Sequence, residues 1–316
     1  MPRWALPDFV EDILPPEGLR VEHARRVLID TCVAREYGFV QPPLVEYVDA
    51  LTAGTDELDD HMFKVVDQLS GRLLGVRADM TPQAARIDAH LFATQPINRL
   101  CYAGSVLHTH PTALNATREV IQGGAELYGV PGREGDEEVL RLLLAICDAL
   151  KLKNLYVDCG HAAVFNALAA EAHLTHSQRK GVREALQKKD VGAVKAISSH
   201  AGLNLLPKLY GSAADVVSRA RSALPATPAV TKALEDLEHV AALVEACGAQ
   251  VTLDLADVPN YDYHNGLVFS LYVAGERVAL ARGGRYDNIG AAYGAPQPRA
   301  ATGFSMDLRL AAAHAQ

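Results

Sequence analysis

The sequence has 316 residues, of which 49% are hydrophobic and 22% are charged, and its formal net charge is -8 at pH 7. This balance is typical of a soluble globular protein with a large core. The negative charge argues against a nucleic-acid binder, which usually presents a basic face to the phosphates. Five cysteines without a CxxC pair indicate buried free thiols in a reducing compartment.

The sequence also carries no sign of export or of a membrane segment. Its acidic, proline-rich start lacks the apolar stretch of a signal peptide. No apolar run reaches the ~20 residues that a membrane-spanning helix requires. We therefore expect a cytoplasmic protein that has no membrane partner.

The first half of the sequence predicts helices alternating with short strands. Apolar residues recur at helical spacing between Glu17 and Tyr37, and Gly38 is expected to end that helix. Pro42 and Pro43 interrupt a strand-like stretch at 39–48, which indicates an edge or a bend. The other predicted elements of this half are strands at 62–68, 72–77, 100–107 and 121–128 and helices at 81–91 and 136–150. The long loop at 108–119 is typical of a functional segment.

The second half predicts a group of short helices followed by further strands. Its predicted elements are a strand at 155–158, short helices at 161–206, a linker at 222–228, a helix at 231–247, strands at 251–255, 267–273 and 277–282, and a strand-to-helix segment at 302–313. These elements favour an α+β fold in which helices flank an antiparallel sheet. Residues 1–160 and 229–316 are predicted to form the sheet domain, and residues 161–228 are predicted to form a helical insertion.

Asp79 and Thr81 lie two residues apart where a predicted strand meets a predicted helix. Two interpretations are open. The pair could cap the helix, which is the usual role of these residue types at such a junction. Alternatively, both side chains could face one ligand, and the carboxylate could then hold an ammonium group.

Gln122 and Glu126 lie four residues apart on a predicted strand, so their side chains share one face. Gly123, Gly124 and Ala125 between them leave room above the sheet for a small molecule. A glutamate buried on a sheet face needs a partner. That partner could be an arginine of the same fold or a cationic ligand.

Two segments near the end of the sequence combine aromatic and basic residues with glycine. Tyr263 and His264 precede Gly266, which permits a close approach of a ligand to the backbone, although a lone histidine more often lies at the surface or in the core. A Gly-Gly pair precedes Arg285 and Tyr286, although such a pair usually marks a turn. No third ligand follows His108 and His110 at zinc spacing, so no metal site is expected. The sequence also lacks Walker A, GxGxxG and GxSxG motifs.

Taken in order, these segments resemble histidyl-tRNA synthetase, a class II synthetase, over residues 14–310. Residues 38–46 are similar to the first motif of that class, which implies a homodimer through this segment. Further similarity lies at 77–81, at 102–129 (the second motif), at 261–269 and 283–287 (the histidine-specific segments) and at 303–310 (the third motif). The resemblance implies histidine-binding residues at Asp79, Thr81, Gln122, Glu126, Tyr263 and Tyr286. It implies secondary pocket residues at His108, His264 and Arg285.

The departures from the family pattern fall on residues that the synthetase needs for ATP. Where the family carries an arginine, this sequence has His108, Pro259 and Leu310, although the neighbouring Arg309 could substitute for the last. His110 replaces a glutamate, and His264 replaces a tyrosine. Arginines suit the neutralisation of phosphate charge, and the loss of one such donor costs roughly 10²–10³ in rate. We therefore expect no catalytic residue and no enzymatic activity in this chain.

The sequence ends shortly after the third motif. No anticodon-binding domain is therefore expected, and tRNA is not expected as a partner.

A histidine-binding, synthetase-like chain with these departures resembles the regulatory subunits of ATP phosphoribosyltransferase. This resemblance implies a non-catalytic subunit that assembles with the short-form catalytic subunit, in a hetero-octamer, and supports its activity. It also implies that L-histidine acts as an allosteric effector for feedback inhibition of histidine biosynthesis, with no other cofactor. Two alternatives stay open: a truncated histidyl-tRNA synthetase-like enzyme that activates histidine with ATP, and a structural partner with a vestigial pocket.

Overall fold

The computed structural model describes residues 4–53, 57–111, 117–258, 264–295 and 297–315. Two compact units divide the chain. Unit 1 contains Met1–Val130, Leu142–Leu152 and Asn288–Gln316, and unit 2 contains Pro131–Arg141 and Lys153–Asp287. The predicted limits of the helical insertion stay a prediction. Within the described ranges, no helix is long and apolar enough to cross a membrane.

Helices and strands follow one another in both units. The helices are α1 (Glu17–Val33), α2 (Val48–Leu51), α3 (Glu57–His61), α4 (Thr81–Leu91), α5 (Arg133–Ala149), α6 (Ala162–Glu171), α7 (His176–Gln187), α8 (Val191–Ile197), α9 (Ala201–Leu205), α10 (Ala213–Ala223), α11 (Pro228–Ala246) and α12 (Leu308–His314). The strands are β1 (Gly38–Phe39), β2 (Val45–Tyr47), β3 (Lys64–Val66), β4 (Leu73–Val76), β5 (Asn98–Leu107), β6 (Glu119–Tyr128), β7 (Leu155–His161), β8 (Tyr210–Gly211), β9 (Gln250–Asp254), β10 (Leu267–Val273), β11 (Ala281–Arg285) and β12 (Ala301–Asp307).

The core of unit 1 is built on strands β1, β5, β6 and β12, which are neighbours in that order. Strands β5 and β6 form an antiparallel pair over ten residues, and β12 runs antiparallel to β6 with Gly303 opposite Glu126. Strand β1 runs parallel to β5. A separate antiparallel sheet contains β2, β4 and β3. The long β5–β6 pair therefore forms the frame on which this unit is assembled.

One face of these strands is covered by α1 and α12. A Cβ atom added at Gly123 of β6 would lie 2.7 Å from Leu28 Cδ1 of α1 and 3.2 Å from Leu308 of α12. Leu28 and Leu308 are both fully buried. Because side chains alternate along a strand, Gly124 and Glu126 lie on the opposite face. We call these the covered face and the site face.

Unit 2 is built on five neighbouring strands in the order β11, β10, β7, β9 and β8. Strand β10 pairs antiparallel with β7 over seven residues and with β11, whereas β9 runs parallel to β7. Helix α11 packs on β7, β9 and β10. It begins with an N-cap at Thr227, whose side chain accepts a hydrogen bond from the Val230 N–H, and with Pro228 in its first turn, where proline loses no helical hydrogen bond.

The predicted α+β class is confirmed, with one correction to the sheet. The β1–β5 and β7–β9 pairs are parallel, so the strands form a mixed rather than an antiparallel arrangement. The predicted helix at 81–91 and the predicted strand at 267–273 coincide with α4 and β10. The first predicted helix was drawn too long: it ends at Val33 because Glu36 adopts a left-handed φ of 65°. The strand predicted at 277–282 was placed too early: a turn occupies residues 274–275, residues 276–280 form no strand, and β11 spans Ala281–Arg285.

Candidate functional site

The site face of unit 1 has glycines where side chains from neighbouring elements cross the strands. A Cβ atom added at Gly124 would lie 2.6 Å from the Tyr102 hydroxyl, so the tyrosine ring lies across β6. A Cβ atom at Gly303 would overlap the Glu126 carboxylate. Tyr102 and Glu126 are almost fully buried. These glycines therefore allow a carboxylate and a phenol to lie directly on the sheet.

The Tyr102 hydroxyl connects two of the residues that the sequence singles out. It donates a hydrogen bond to Glu126 Oε1 at 2.8 Å and lies 3.0 Å from Thr81 Oγ1. Burial, and then the negative charges of Glu126 and Asp79, raise the pKa of Tyr102 well above its usual value. The phenol therefore stays protonated and donates a hydrogen bond to Glu126. The Thr81 hydroxyl must then donate to the tyrosine oxygen.

Gln122 holds the segment that enters α4. Its Nε2 donates to Asp79 Oδ1 at 2.9 Å, and its Oε1 accepts from the Met80 N–H at 2.9 Å. Asp79 Oδ1 also accepts from the Thr81 N–H at 3.0 Å. The N-cap position of α4 is Met80, which makes no side-chain cap bond, so Asp79 holds the start of the helix from the residue before the cap. The ligand-facing interpretation of Asp79 stays a prediction. These bonds bring Asp79, Thr81, Gln122 and Glu126 into one network with Tyr102.

His108 contacts the segment that leads into this network. Its Nε2 lies 2.9 Å from the carbonyl oxygen of Ala78, the residue before Asp79. The carbonyl can only accept, so Nε2 carries the proton. The buried Nδ1 has no hydrogen-bond partner in the part of the chain that the structure describes. His108 therefore steadies the segment that carries Asp79.

The other sequence-predicted residues belong to unit 2. Arg285 is buried and donates to Asp136 Oδ1 at 2.9 Å, to Asp287 Oδ1 at 2.9 Å and to the Gly132 carbonyl at 2.6 Å. Burial alone would lower the pKa of Arg285, but the charges of Asp136 and Asp287 raise it. These contacts give Arg285 a structural task within unit 2, and its role as a pocket residue stays a prediction.

His264 and Tyr286 lie together in unit 2, with their rings edge to face and 6.3 Å between centroids. The His264 ring lies over Gly284, where an added Cβ atom would come within 3.1 Å of Cδ2. Burial lowers the pKa of His264 to about 4, so the imidazole is neutral at pH 7. Tyr263 and Pro259 lie outside the described residues.

Sequence reasoning did not assign a role to Tyr102 or Gly303. Tyr102 stood at the start of the second-motif segment, but a buried tyrosine in a strand is normally a core residue. Its signal is visible only with the strand register, in which Tyr102 lies opposite Gly124. Likewise, Gly303 lies opposite Glu126, and that pairing cannot be read without knowing that β12 neighbours β6.

Arg309 was the residue that could replace the missing arginine of the third motif. Its Nε donates to Glu17 and its Nη1 to Glu11, both at 2.5 Å. Glu17 belongs to α1, which lies against the covered face. The contacts of Arg309 therefore lie on the covered face rather than on the site face. Among the described residues, no cluster of His, Cys, Asp or Glu could hold a metal ion.

Comparison with known proteins places the chain in a family. The family profile described as Histidyl-tRNA synthetase matches residues 9–310. A protein named ATP phosphoribosyltransferase regulatory subunit from Ralstonia nicotianae is 47% identical over 98% of this chain and 81% of its own length. One of the same name from Burkholderia pseudomallei is 48% identical over the same shares. The chain belongs to the ATP phosphoribosyltransferase regulatory subunit family.

A solved structure agrees with this membership. A chain titled ATP phosphoribosyltransferase regulatory subunit/histidyl-tRNA synthetase, from Bacillus halodurans, superimposes with a TM-score of 0.86 at 26% identity. The match covers 99% of this chain and 84% of that chain. The resemblance stated from the sequence is thus confirmed, as are the histidyl-tRNA synthetase-like class II fold and the role as a regulatory rather than a catalytic subunit.

Proposed function

We propose that this regulatory subunit binds L-histidine on the site face of unit 1 as its allosteric effector. The observation that carries the proposal is the network in which two carboxylates, Asp79 and Glu126, are held on one side of the sheet by Gln122 and Tyr102. Histidine offers two kinds of donor, an ammonium group and an imidazole N–H. Carboxylates are the strongest acceptors for such donors in a buried site.

We propose that each end of the ligand meets a different group. Asp79 Oδ1 accepts from Gln122 and from the Thr81 N–H, and among the described residues none occupies Oδ2, which is our candidate for the ammonium group. Glu126 is oriented by Tyr102 and is our candidate for the imidazole. Tyr263 and Tyr286 stay proposed histidine-binding residues, as the resemblance implies. No cofactor other than this ligand is proposed.

Regulation requires that histidine favour one state of the assembly over another. A ligand shifts an equilibrium only by its difference in affinity between the two states, and the effect is reciprocal. We propose that the chain works in the cytoplasm, dimerises through residues 38–46 and assembles with the short-form catalytic subunit in a hetero-octamer. In this assembly it would support catalysis, and histidine would inhibit it. The names of its relatives support a partner of this kind.

Isothermal titration calorimetry of the purified complex with L-histidine tests the proposal. Glu126→Gln removes the buried charge and keeps the shape, so we expect at least tenfold weaker binding, because a hydrogen bond to a charged group contributes about 1.5–3 kcal/mol. Glu119→Gln is the matched control, because Glu119 is exposed at the start of the same strand. Absence of any binding heat in the wild-type complex, or histidine-dependent exchange of pyrophosphate into ATP by the chain alone, would refute the proposal.

A further inference from the structure

Arg77 is a buried arginine, and among the described residues no carboxylate contacts its guanidinium group directly. The residue is 6% exposed and follows β4 in the sequence of unit 1. Nε donates to the Ser105 carbonyl at 2.8 Å, and Nη1 donates to the Pro42 carbonyl at 2.7 Å. Both acceptors are neutral. In the described part of the chain, no residue accepts a hydrogen bond from Nη2.

Glu46, the acidic residue whose charge acts on Arg77, already accepts hydrogen bonds from other donors. The charge of Glu46 acts on Arg77, but Glu46 Oε1 accepts from Gln83 Nε2 at 2.7 Å and from Arg86 Nη2 at 2.6 Å. Its Oε2 accepts from Arg86 Nε at 2.9 Å. One carboxylate thus faces two guanidinium groups and is paired with Arg86. Buried charges are normally paired, so Arg77 lacks an anion.

The unused end of Arg77 lies beside the proposed ammonium site. A Cβ atom added at Gly104 would come within 2.5 Å of Arg77 Nη2. Gly104 lies directly opposite Gln122 in the β5–β6 register, and Gln122 holds Asp79. The Cβ positions of such opposed residues are about 5 Å apart. In an α-amino acid the ammonium and the carboxylate are attached to the same carbon, so an ammonium on Asp79 brings its carboxylate toward Arg77.

We propose that Arg77 binds the α-carboxylate of the amino-acid effector. The inference rests on the proposed histidine binding and adds a partner for the ligand's carboxylate, which Asp79 and Glu126 cannot bind. The Met80 sulfur lies 3.8 Å from the same Gly104 position, so the surroundings are partly apolar. A charge pair is stronger in such surroundings than in water. Arg77 would therefore select a ligand that has a carboxylate over one that lacks it.

Gly104→Ala tests the proposal while leaving Arg77 in place. The added methyl group collides with the far end of a flexible side chain, so the guanidinium moves and the fold is retained. Gly18→Ala in α1 is the matched control, because its Cβ atom would meet only the Ile13 carbonyl at an ordinary 3.5 Å. Arg77→Met is a second variant that removes the charge itself.

The measurement compares L-histidine with L-histidinol, which lacks the carboxylate, by calorimetry on the assembled complex. We expect wild type and Gly18→Ala to bind histidine at least tenfold more tightly than histidinol, as a charged hydrogen bond implies. In Gly104→Ala we expect this preference to fall below threefold, through weaker histidine binding at unchanged histidinol affinity. If Arg77→Met folds, it should show the same loss.

Three outcomes would overturn the proposal. Histidinol could bind wild type as tightly as histidine does, or Gly104→Ala could keep the wild-type preference. A parallel loss of both ligands in Gly104→Ala would show that the methyl group disturbs the pocket rather than one contact. If neither ligand binds wild type, the proposed function itself fails, which separates that failure from the failure of Arg77.

Discussion

The two faces of strands β5, β6 and β12 use glycine for different purposes. On the covered face, Gly123 lets two leucine side chains, from α1 and α12, approach the sheet. On the site face, Gly124 and Gly303 make room for the Tyr102 hydroxyl and the Glu126 carboxylate. The covered face is closed by apolar contacts and stabilises the unit. The site face contains buried polar groups that the unit must hydrogen-bond internally.

This difference shows how one strand can serve both stability and binding. Alternation along β6 assigns Gly123 to one face and Gln122 and Glu126 to the other. A change on the covered face should therefore act on the free energy of unfolding, and a change on the site face should act mainly on ligand affinity. The experiments that follow challenge that separation, in order of decreasing expected effect.

The largest contrast is expected between two glycine-to-alanine changes. In Gly303→Ala the new methyl group overlaps the Glu126 carboxylate and lies 2.7 Å from the Ala125 backbone oxygen, which cannot easily move. We expect about a 100-fold loss of histidine affinity, since a charged hydrogen bond contributes about 1.5–3 kcal/mol. In Gly123→Ala the closest atom is the end of the flexible Leu28 side chain. Here we expect a loss of about 1–3 kcal/mol in unfolding free energy from overpacking, at unchanged affinity.

Urea denaturation and calorimetry on both variants measure the two quantities side by side. The separation between faces would be wrong if Gly123→Ala lost as much affinity as Gly303→Ala at equal occupancy of the folded state. A Gly303→Ala variant that bound histidine normally would show that Glu126 does not need its present position.

The faces themselves were largely predictable from the sequence, whereas the network was not. The four-residue spacing of Gln122 and Glu126 places both on one side of a strand, and the structure keeps them there. Their internal partners could not be foreseen, because Tyr102 reaches Glu126 only through the β5–β6 register. Periodicity describes one element at a time, and register is a property of two elements.

The same limit explains the errors in the fold. The α4 and β10 bounds agree because each has strong local signals, a Thr-Pro start for the helix and an apolar run for the strand. The strand predicted at 277–282 was placed too early because its apolar residues mostly precede β11, and β11 owes its place to pairing with β10 at Gly283 and Gly284. A strand of glycine and arginine has little intrinsic preference for extended structure, so its neighbours decide.

The next prediction concerns the bridge inside the site face. Tyr102→Phe removes the hydroxyl that joins Thr81 to Glu126 and leaves a buried carboxylate oxygen without this donor. We expect a loss of about 1–3 kcal/mol in unfolding free energy and roughly tenfold weaker histidine binding, because an unsatisfied buried polar group is costly. Tyr210→Phe is the control, since Tyr210 is 54% exposed.

Tyr102→Phe would contradict the network if histidine affinity and the urea midpoint both matched those of wild type. A loss of stability at full affinity would leave Tyr102 as a packing residue and remove it from the site.

A smaller effect on stability is expected from two buried titratable residues of β7 in unit 2, His161 and Asp158. Burial disfavours the charged form of each, a cation for the histidine and an anion for the aspartate. Burial lowers the pKa of His161 to about 4 and raises the pKa of Asp158 to about 6. The pKa of His161 is lower in the folded chain than in the unfolded chain, so the free energy of unfolding decreases as pH falls from about 6.5 to about 4. The pKa of Asp158 is higher in the folded chain, so the free energy of unfolding decreases as pH rises from 3.8 to about 6. In that pH range the carboxyl is ionised in the unfolded chain but still protonated in the folded one.

Asp158→Asn isolates the contribution of the raised Asp158 pKa to stability. The amide keeps an oxygen for the Thr252 hydroxyl, which donates to Asp158 at 2.9 Å, and removes the buried charge. The shift in pKa corresponds to roughly 3 kcal/mol, which partial exposure of the carboxyl reduces to about 1 kcal/mol. We expect the variant to be more stable than wild type by that amount at pH 7 and equal to it near pH 4, measured by urea denaturation. An equal gain at both pH values would assign the effect to packing rather than to charge.

The smallest effect is expected from Arg309→Gln on the covered side. Its ion pairs with Glu11 and Glu17 have partly exposed partners, and such pairs contribute about 0–1 kcal/mol. Because these pairs lie with α1 and α12 on the covered face and Glu126 lies on the site face, histidine affinity should stay within twofold of wild type. A larger loss of affinity would mean that Arg309 reaches the site face and does the work of the missing third-motif arginine. An unchanged affinity, together with a loss in Gly104→Ala, would leave Arg77 as the arginine that the effector meets in unit 1.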